Sequence, residues 1–152
     1  MLDNHKVRES AFRAINDSVP IPVNAENVVK VLFPTEQFDL EGEYHSRTST
    51  FKPNHDGVYL IIGEIGFQPD NPNASYRARV DIHVNSSIVA AVDNDFFGPS
   101  SFSNAVSVSA ILKLHAGDRV EVFATASTNG TILGAPSNPV TATNFQAARF
   151  PS

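Results

Sequence analysis

The segment 58–67 constrains the fold most, because it is apolar on both sides of an extended chain. Side chains alternate between the two faces of a strand, and the faces here carry Val58, Leu60 and Ile62 on one side and Tyr59, Ile61, Ile65 and Phe67 on the other. An antiparallel strand with one face in water alternates apolar and polar residues. Both faces of this strand therefore need cover, either inside a large sandwich or against a second copy of the chain.

Cover by copies of the same chain is the interpretation we favour, since a closed symmetric oligomer hides the second face without open-ended association. The side chains expected near such subunit contacts are apolar or aromatic and come from separate segments: Phe12, Tyr59, Ile61, Phe145 and Phe150. The alternative is a central strand that is buried on both faces within one domain.

Length and composition favour one globular, sheet-rich domain. The 152 residues fit a single domain with a sizeable core, and 41% hydrophobic with 18% charged residues is typical of a folded chain. Eleven Phe and ten Pro favour pleated surfaces that are separated by turns. We therefore expect one domain over residues 11–152, preceded by a flexible lead-in over residues 1–10.

Charge and cysteine content exclude several classes of protein. A net charge of −5 argues against a nucleic-acid partner, because phosphate binding needs clustered Lys and Arg. No apolar run approaches the roughly 18 residues of a membrane-spanning helix, so membrane insertion is not expected. Cysteine is absent, which excludes disulfides, thiol nucleophiles and thiolate metal sites.

Residues 76–85 show the clearest period of two in the sequence. One face is apolar and the other polar, which predicts a strand with one wet face: Ala78, Val80, Ile82 and Val84 against Arg77, Arg79, Asp81, His83 and Asn85. Further strands are predicted at 11–15, 44–51, 58–67, 87–92, 105–114, 119–127 and 144–150, with an edge piece at 19–23 and either a strand at 27–33 or a short helix at 25–31. About ten short strands indicate an all-β sandwich or jelly roll.

Six residues resemble the signature of the complement C1q globular-head family. The family pattern runs Phe, five residues, Asn or Asp, four residues, an aromatic or Leu, six residues, Phe, five residues, Gly-x-Tyr; the matching positions are Phe33, Asp39, Tyr44, Phe51, Gly57 and Tyr59. The chain departs from the family at Ile61 and Gly63, where aromatic residues are usual. Ala11-Phe12-Arg13-Ala14, Leu112 to Val120 and Asn144-Phe145 also resemble family segments, so the likeness covers nearly all of residues 11–150.

This resemblance implies a ten-stranded jelly roll related to tumour necrosis factor that forms a homotrimer. Such domains act as recognition heads, often at the end of a collagen-like stalk. No Gly-x-y repeat occurs in this sequence. The resemblance also implies a calcium site, because several C1q-like heads bind calcium through acidic residues in the loop to which Asp93, Asp95 and Asn104 correspond. An ordinary Asx-rich turn explains the same residues.

The residues indicate no enzyme. No Gly-x-Ser-x-Gly elbow, His-x-x-x-His pair or cupin-type His-x-His is present. His83 and Asp81 share a wet strand face and are interpreted as solvated surface residues; the alternative is that a trimer gathers three such pairs around its axis. Arg77 and Arg79 either cradle an anionic ligand or lie on a solvated or intersubunit face. Four Asn-x-Ser/Thr tripeptides match the glycosylation acceptor, a pattern that is common by chance in an Asn- and Ser-rich chain.

The expected function is that of a homotrimeric recognition head at the cell or spore surface or outside the cell. A protein or glycan ligand would bind loops 68–75, 93–104 and 128–143, since loops on a rigid sandwich carry function. Residues 1–10 lack the apolar stretch of a signal peptide. The alternative is a purely structural trimerisation or capping module of a surface fibre, such as a spore-coat filament, a phage fibre or a collagen-like stalk.

Overall fold

The computed structural model describes residues 9–99, 103–134 and 143–151, and every regular element among them is a β-strand. Since these ranges hold no helix, none is long and apolar enough to cross a membrane. The strands are β1 (Ala11–Ile15), β2 (Ile21–Val23), β3 (Val29–Lys30), β4 (Thr35–Asp39), β5 (Tyr44–His45), β6 (Thr50–Phe51), β7 (Gly57–Pro69), β8 (Tyr76–Val84), β9 (Ser87–Phe96), β10 (Asn104–Leu114), β11 (Val120–Ala126), β12 (Gly130–Ile132) and β13 (Asn144–Arg149).

The strands form two antiparallel sheets that pack face to face. The first sheet has the order β2-β12-β7-β13-β1-β4, with β10 also paired to β7. The second sheet has the order β5-β6-β11-β8-β9, with β3 also paired to β11. This architecture confirms the predicted all-β jelly roll, although the described ranges hold thirteen strands rather than the ten expected. Residues 1–8 of the predicted lead-in lie outside the described ranges.

An aromatic cluster fills one part of the core between the sheets. The Phe12 ring lies 4.7 Å from Tyr44, 4.9 Å from Phe51 and 5.0 Å from Phe145, measured between ring centroids. Such ring pairs add to the hydrophobic gain of burial. The Tyr44 hydroxyl donates to the Phe33 carbonyl at 2.6 Å. The signature aromatics are therefore core residues, which explains their fixed spacing.

Asp39 of the signature holds the chain at the start of β5. Its carboxylate accepts the backbone N–H groups of Glu43 at 3.1 Å and Tyr44 at 2.9 Å. An acidic or amide side chain at this position therefore closes the 39–44 loop by accepting from backbone donors.

Several predicted elements are corrected by the structure. The predicted strand 44–51 is a hairpin of β5 and β6, because Ser49 adopts a φ of 48° and its hydroxyl accepts the Phe33 N–H at 2.8 Å. The helix alternative at 25–31 is wrong, since Glu26 has a φ of 67°. Of the strand alternative at 27–33 only β3 is regular.

Other strands were not predicted or are longer than predicted. β4 is largely exposed and polar, and β12 lies within the predicted loop 128–143. β9 continues to Phe96, so residues 93–96 of the predicted loop 93–104 are strand. The predicted strands 58–67, 76–85 and 105–114 are confirmed as β7, β8 and β10 with shifts of one or two residues at their ends.

The first and last strands of the described chain, β1 and β13, lie side by side. β1 pairs with β13 in antiparallel register, with Ala11 opposite Ala148. The beginning of β1 and the end of β13 both lie near the start of β7, where Arg149 lies opposite Tyr59. The end of β7 at Pro69 lies at the opposite pole of the sandwich and leads into the loop before β8.

Candidate interaction surfaces

The outer face of the first sheet is apolar and partly exposed. On β7 the odd-numbered apolar side chains are buried in the core, whereas Val58 is 40% exposed and Leu60 and Ile62 are half-buried on the outside. Alternation along the strand accounts for this division. The single chain therefore covers only one face of β7, and the alternative of a strand fully buried within one domain does not hold for Val58.

Neighbouring strands extend this outer surface. Ile111 of β10 lies opposite Leu60 and is 64% exposed. On the other side Ala148 of β13 lies opposite Leu60. Farther along the sheet, Phe38 and Leu40 at the β4 edge are 46% and 55% exposed. We call this surface the apolar face; its members are Phe38, Leu40, Val58, Leu60, Ile62, Ile111 and Ala148.

The predicted contact residues lie mostly on the other side of the sheet. Phe12, Tyr59, Ile61 and Phe145 are at most 1% exposed and pack in the core of the single chain. Their side chains are enclosed by the single chain. A partner can therefore reach only the residues next to them along each strand, whose side chains point to the opposite face. Phe150 is 44% exposed, and its N–H donates to the Val58 carbonyl at 2.8 Å beside the apolar face.

The predicted binding loops meet at the end of the sandwich where β7 ends at Pro69. We call this end the loop pole. The Gly98 N–H donates to the Ser75 hydroxyl at 3.1 Å, which ties the loop after β9 to the loop before β8. The Asp70 N–H donates to the Asn129 carbonyl at 3.0 Å, which joins the loop after β11. Residues 100–102 and 135–142 of the predicted loops lie outside the described ranges.

Phe97 is the most exposed large hydrophobic side chain of the described ranges, at 81%. It lies between the end of β9 and the Gly98 contact, on the surface of the loop pole. Aromatic side chains, Phe among them, are enriched at protein–protein interfaces relative to the rest of the protein surface.

Comparison with known proteins identifies the fold. No protein-family model matches the chain, and no curated protein matches it. Among solved structures, the globular domain of a zebrafish complement 1qA protein aligns with a TM-score of 0.57 at 17% identity, over 91% of this chain and 94% of that one. The chain has the C1q/tumour necrosis factor fold. A murine APRIL structure at pH 8.5 and the Eiger TNF of S. frugiperda share it.

The C1q/tumour necrosis factor fold is matched over nearly the whole chain in each case. The APRIL structure aligns with a TM-score of 0.64 at 12% identity, over 94% of this chain and 100% of that one. The Eiger structure aligns with a TM-score of 0.62 at 17% identity, over 95% of this chain and 94% of that one. These likenesses confirm the resemblance to the C1q globular head at the level of fold.

Within this C1q/tumour necrosis factor fold the three residues of the predicted calcium site are not brought together. Asp93 and Asp95 are exposed on β9, where they lie opposite Arg79 and Arg77 of β8. The Asn104 side chain instead donates to the hydroxyl of buried Tyr76 at 2.5 Å. In the part of the chain that the structure describes, no group of three His, Asp or Glu side chains is placed to hold a metal ion. Calcium binding stays a prediction.

A groove of mixed charge crosses the outer face of the second sheet, with a volume of about 590 Å³. The Arg77 guanidinium lies 3.5 Å from the Asp95 carboxylate, and Arg79 lies 2.5 Å from Asp81. The hydrogen bond to Asp81 is the main cause that raises the pKa of Arg79. Because carboxylates already face both arginines, this groove is a poor cradle for an anion.

Asp81 and His83 are not the solvated surface residues that the strand pattern predicted. The side chains of Asp81 and His83 are only 4% and 13% exposed. The His83 ring stacks on Phe123 at 4.1 Å between centroids, and its Nε2 atom lies 3.7 Å from the Asp81 carboxylate. The cross-strand ring of Phe123 therefore covers a face that is polar in sequence.

A second groove is basic and has a volume of about 520 Å³. It lies where β11 begins, at the far end of β11 from the loop pole, and its lining comes from three separate parts of the chain: Lys30, His45, Arg47, Thr48, Thr50, Lys52, Arg119 and Glu121. No local run of Lys or Arg marks it in the sequence, so only the folding of β5 and β6 against β11 reveals it. We call it the basic groove.

Proposed function

We propose that this chain is a non-enzymatic recognition head that assembles as a homotrimer through the apolar face. The observation that carries the proposal is the exposure of Ile111, Leu40 and Phe38 on one continuous sheet surface. Contiguous apolar surface of this kind marks a protein interface in soluble proteins. The trimeric order follows from the resemblance to the C1q family, and closed symmetry covers such a surface without open-ended association.

The loop pole is the proposed recognition surface. Assembly through the first sheet leaves the described parts of the three loops accessible, with Phe97 as the aromatic anchor. Hydrogen bonds join the described parts of these loops, and such preorganisation lowers the entropic cost of binding. We place such a head outside the cell or at the cell or spore surface, in line with the family that it resembles.

The purely structural alternative is a trimerisation or capping module of a fibre. It shares the proposed trimer and differs only in lacking a ligand. The two functions differ at the loop pole, where only recognition predicts a ligand in contact with Phe97.

Light scattering coupled to size-exclusion chromatography tests the assembly. The expected mass is three times the 16.4 kDa of the chain. Ile111→Glu, on the apolar face, is expected to give a monomer, because it would bury a charge at the contact. Ile88→Glu is the matched control: Ile88 is 55% exposed, but it lies on the second sheet, and this variant is expected to remain trimeric.

Both isoleucines are exposed in the single chain, so neither change removes a core contact. A monomeric wild-type protein at micromolar concentration overturns the proposal. A trimer that survives Ile111→Glu but dissociates with Ile88→Glu would place the interface on the second sheet and contradict the proposal.

A further inference from the structure

The basic groove concentrates positive charge on an acidic protein. Its lining holds four Lys and Arg side chains and one carboxylate, a net charge of +3 with the imidazole of His45 counted as neutral. The whole chain carries −5, so the residues outside the groove sum to −8. A concave surface lined by one sign of charge attracts ligands of the opposite sign and raises their association rate.

Most of this charge has no acidic partner in the structure. The single carboxylate of the groove, Glu121, lies 2.6 Å from the Lys30 ammonium and compensates that group. Within residues 9–99, 103–134 and 143–151, no carboxylate forms an ion pair with Arg47, Lys52 or Arg119. This contrasts with the groove of mixed charge, where Arg77 and Arg79 both face aspartates.

The three unpaired cations are held on well-defined backbone. Arg119 exchanges two hydrogen bonds with Asn85, which donates its backbone N–H to the Arg119 carbonyl at 2.8 Å and accepts the Arg119 N–H at 2.9 Å. The Lys52 N–H donates to the Glu43 carbonyl at 2.9 Å. Arg47 lies in the turn between β5 and β6, where the Thr48 N–H closes on the His45 carbonyl at 3.3 Å. The fold therefore fixes the backbone positions from which the three charged side chains extend.

The chemistry of the lining indicates the class of anion. Among the described residues, no Phe, Tyr or Trp side chain lines the groove, whereas proteins that bind single-stranded nucleic acid stack bases on aromatic rings. The exposed hydroxyl of Thr48 and the imidazole of His45 offer hydrogen bonds of the kind that sugar hydroxyls accept and donate. A volume of about 520 Å³ is in the range of small-ligand sites, so it suits a short segment of a polymer.

We propose that the basic groove binds an anionic polysaccharide through its sulfate or carboxylate groups. Arg47, Lys52 and Arg119 form charge-assisted contacts with the anionic groups, and Thr48 contacts the sugar hydroxyls. The site lies within one chain and away from both the apolar face and the loop pole. It goes beyond the proposed recognition through loops, and a trimer would present three copies of it to one polymer.

Binding of fluorescent heparin oligosaccharide, measured by anisotropy at about 150 mM salt, tests the proposal. Arg47→Gln, Lys52→Gln and Arg119→Gln are each expected to weaken binding by about three- to tenfold, because each removes one charge-assisted contact. Arg77→Gln is the matched control: it also removes one exposed positive charge, but from the other groove, and its affinity is expected to stay within about twofold of wild type.

Unlabelled heparin, hyaluronan and an oligodeoxythymidine serve as competitors. Displacement by hyaluronan as well as heparin assigns the recognition to carboxylate, and displacement by heparin alone assigns it to sulfate; both support the proposal. It is overturned if heparin does not bind wild-type protein, if Arg77→Gln weakens binding as much as the groove variants, or if oligodeoxythymidine competes equally. Because the groove belongs to one chain, monomeric Ile111→Glu should keep the affinity per site, so failure of the trimer and failure of this proposal are separate results.

Discussion

Tyr44 combines a buried aromatic ring with a hydrogen-bonded hydroxyl group. Its ring stacks on Phe12, and its hydroxyl donates to the Phe33 carbonyl. Burial raises the pKa of Tyr44 to about 12, against a smaller opposing effect of a hydrogen bond with Ser49. Desolvation likewise raises the pKa values of Tyr59 and Tyr76, and these three are the only tyrosines of the chain.

These shifts predict a late phenol titration in the folded protein. Near-ultraviolet absorbance of phenolate should rise mainly above pH 10 in native protein and near the usual pKa of 10.0 in denaturant. Because the folded pKa of Tyr44 is the higher one, its contribution to stability is complete below pH 10 and is lost as pH rises toward 12. Tyr44→Phe should remove the last phase. Titration of all tyrosines near pH 10, with circular dichroism still native, would contradict this assignment.

At the residue scale the sequence predicts which side chains are apolar anchors better than it predicts where they point. Phe12 and Tyr59 are predicted near subunit contacts, but their side chains pack inward, in the core of the single chain. Glu43 was not singled out at all, yet it is 2% exposed, and its carboxylate accepts from the Ser10 hydroxyl at 2.5 Å and the Asn54 N–H at 2.6 Å. Such partners are 33 and 11 residues away in sequence, so no local pattern can reveal them.

The hairpin between β8 and β9 offers a test at the level of the element. Its turn residues Asn85 and Ser86 have φ values of 51° and 70°, the left-handed conformation of a two-residue hairpin turn. Glycine adopts this conformation without the steric cost that a side chain brings. Ser86→Gly is therefore expected to raise the free energy of unfolding by about 0.5–1 kcal/mol, measured by urea denaturation.

Ser87→Gly is the matched control for that prediction. Ser87 is exposed and begins β9 opposite Val84. Glycine in an extended strand gains chain entropy on unfolding, so this variant should lower stability by about 0.5–1 kcal/mol. Equal effects of the same sign in both variants would show that the turn conformation is not the cause.

At the element scale, apolar patterning predicts the long strands and misses short strands that are polar or lie within a predicted loop. β8 is predicted because its residues alternate between apolar and polar, and β7 because its residues are apolar on both faces. β4 was missed because its residues are mostly polar and exposed at a sheet edge. β12 has three residues, too few for any periodicity, and its place is set by pairing with β2 and β7.

Assembly predicts how the whole molecule melts. If folding and trimer formation are coupled, the melting temperature rises with protein concentration, by roughly 2–4 °C for each tenfold increase. Differential scanning calorimetry of wild type and Ile88→Glu should show this dependence, whereas Ile111→Glu should melt at one temperature at all concentrations. A wild-type midpoint that does not move with concentration would contradict coupled assembly.

At the scale of the molecule, the jelly roll was predictable because the signature residues converge on one core. Phe33, Tyr44, Phe51 and Tyr59 are all buried together. The apolar face was predictable as a need for cover on β7, but its membership was not, since Phe38 and Ile111 join it only through sheet pairing. The basic groove was not predictable, because its cations are up to 89 positions apart, from Lys30 to Arg119.

The pairing of β1 with β13 determines how this unit can be joined to other proteins. Because Ala11 lies opposite Ala148, the polypeptide enters and leaves at neighbouring points on the pole opposite the loop cluster. A fusion partner attached next to β1 or β13 would lie at the end of the sandwich opposite the loop pole and leave Phe97 accessible. The same closeness would let the unit be spliced into a surface turn of a host without stretching that turn.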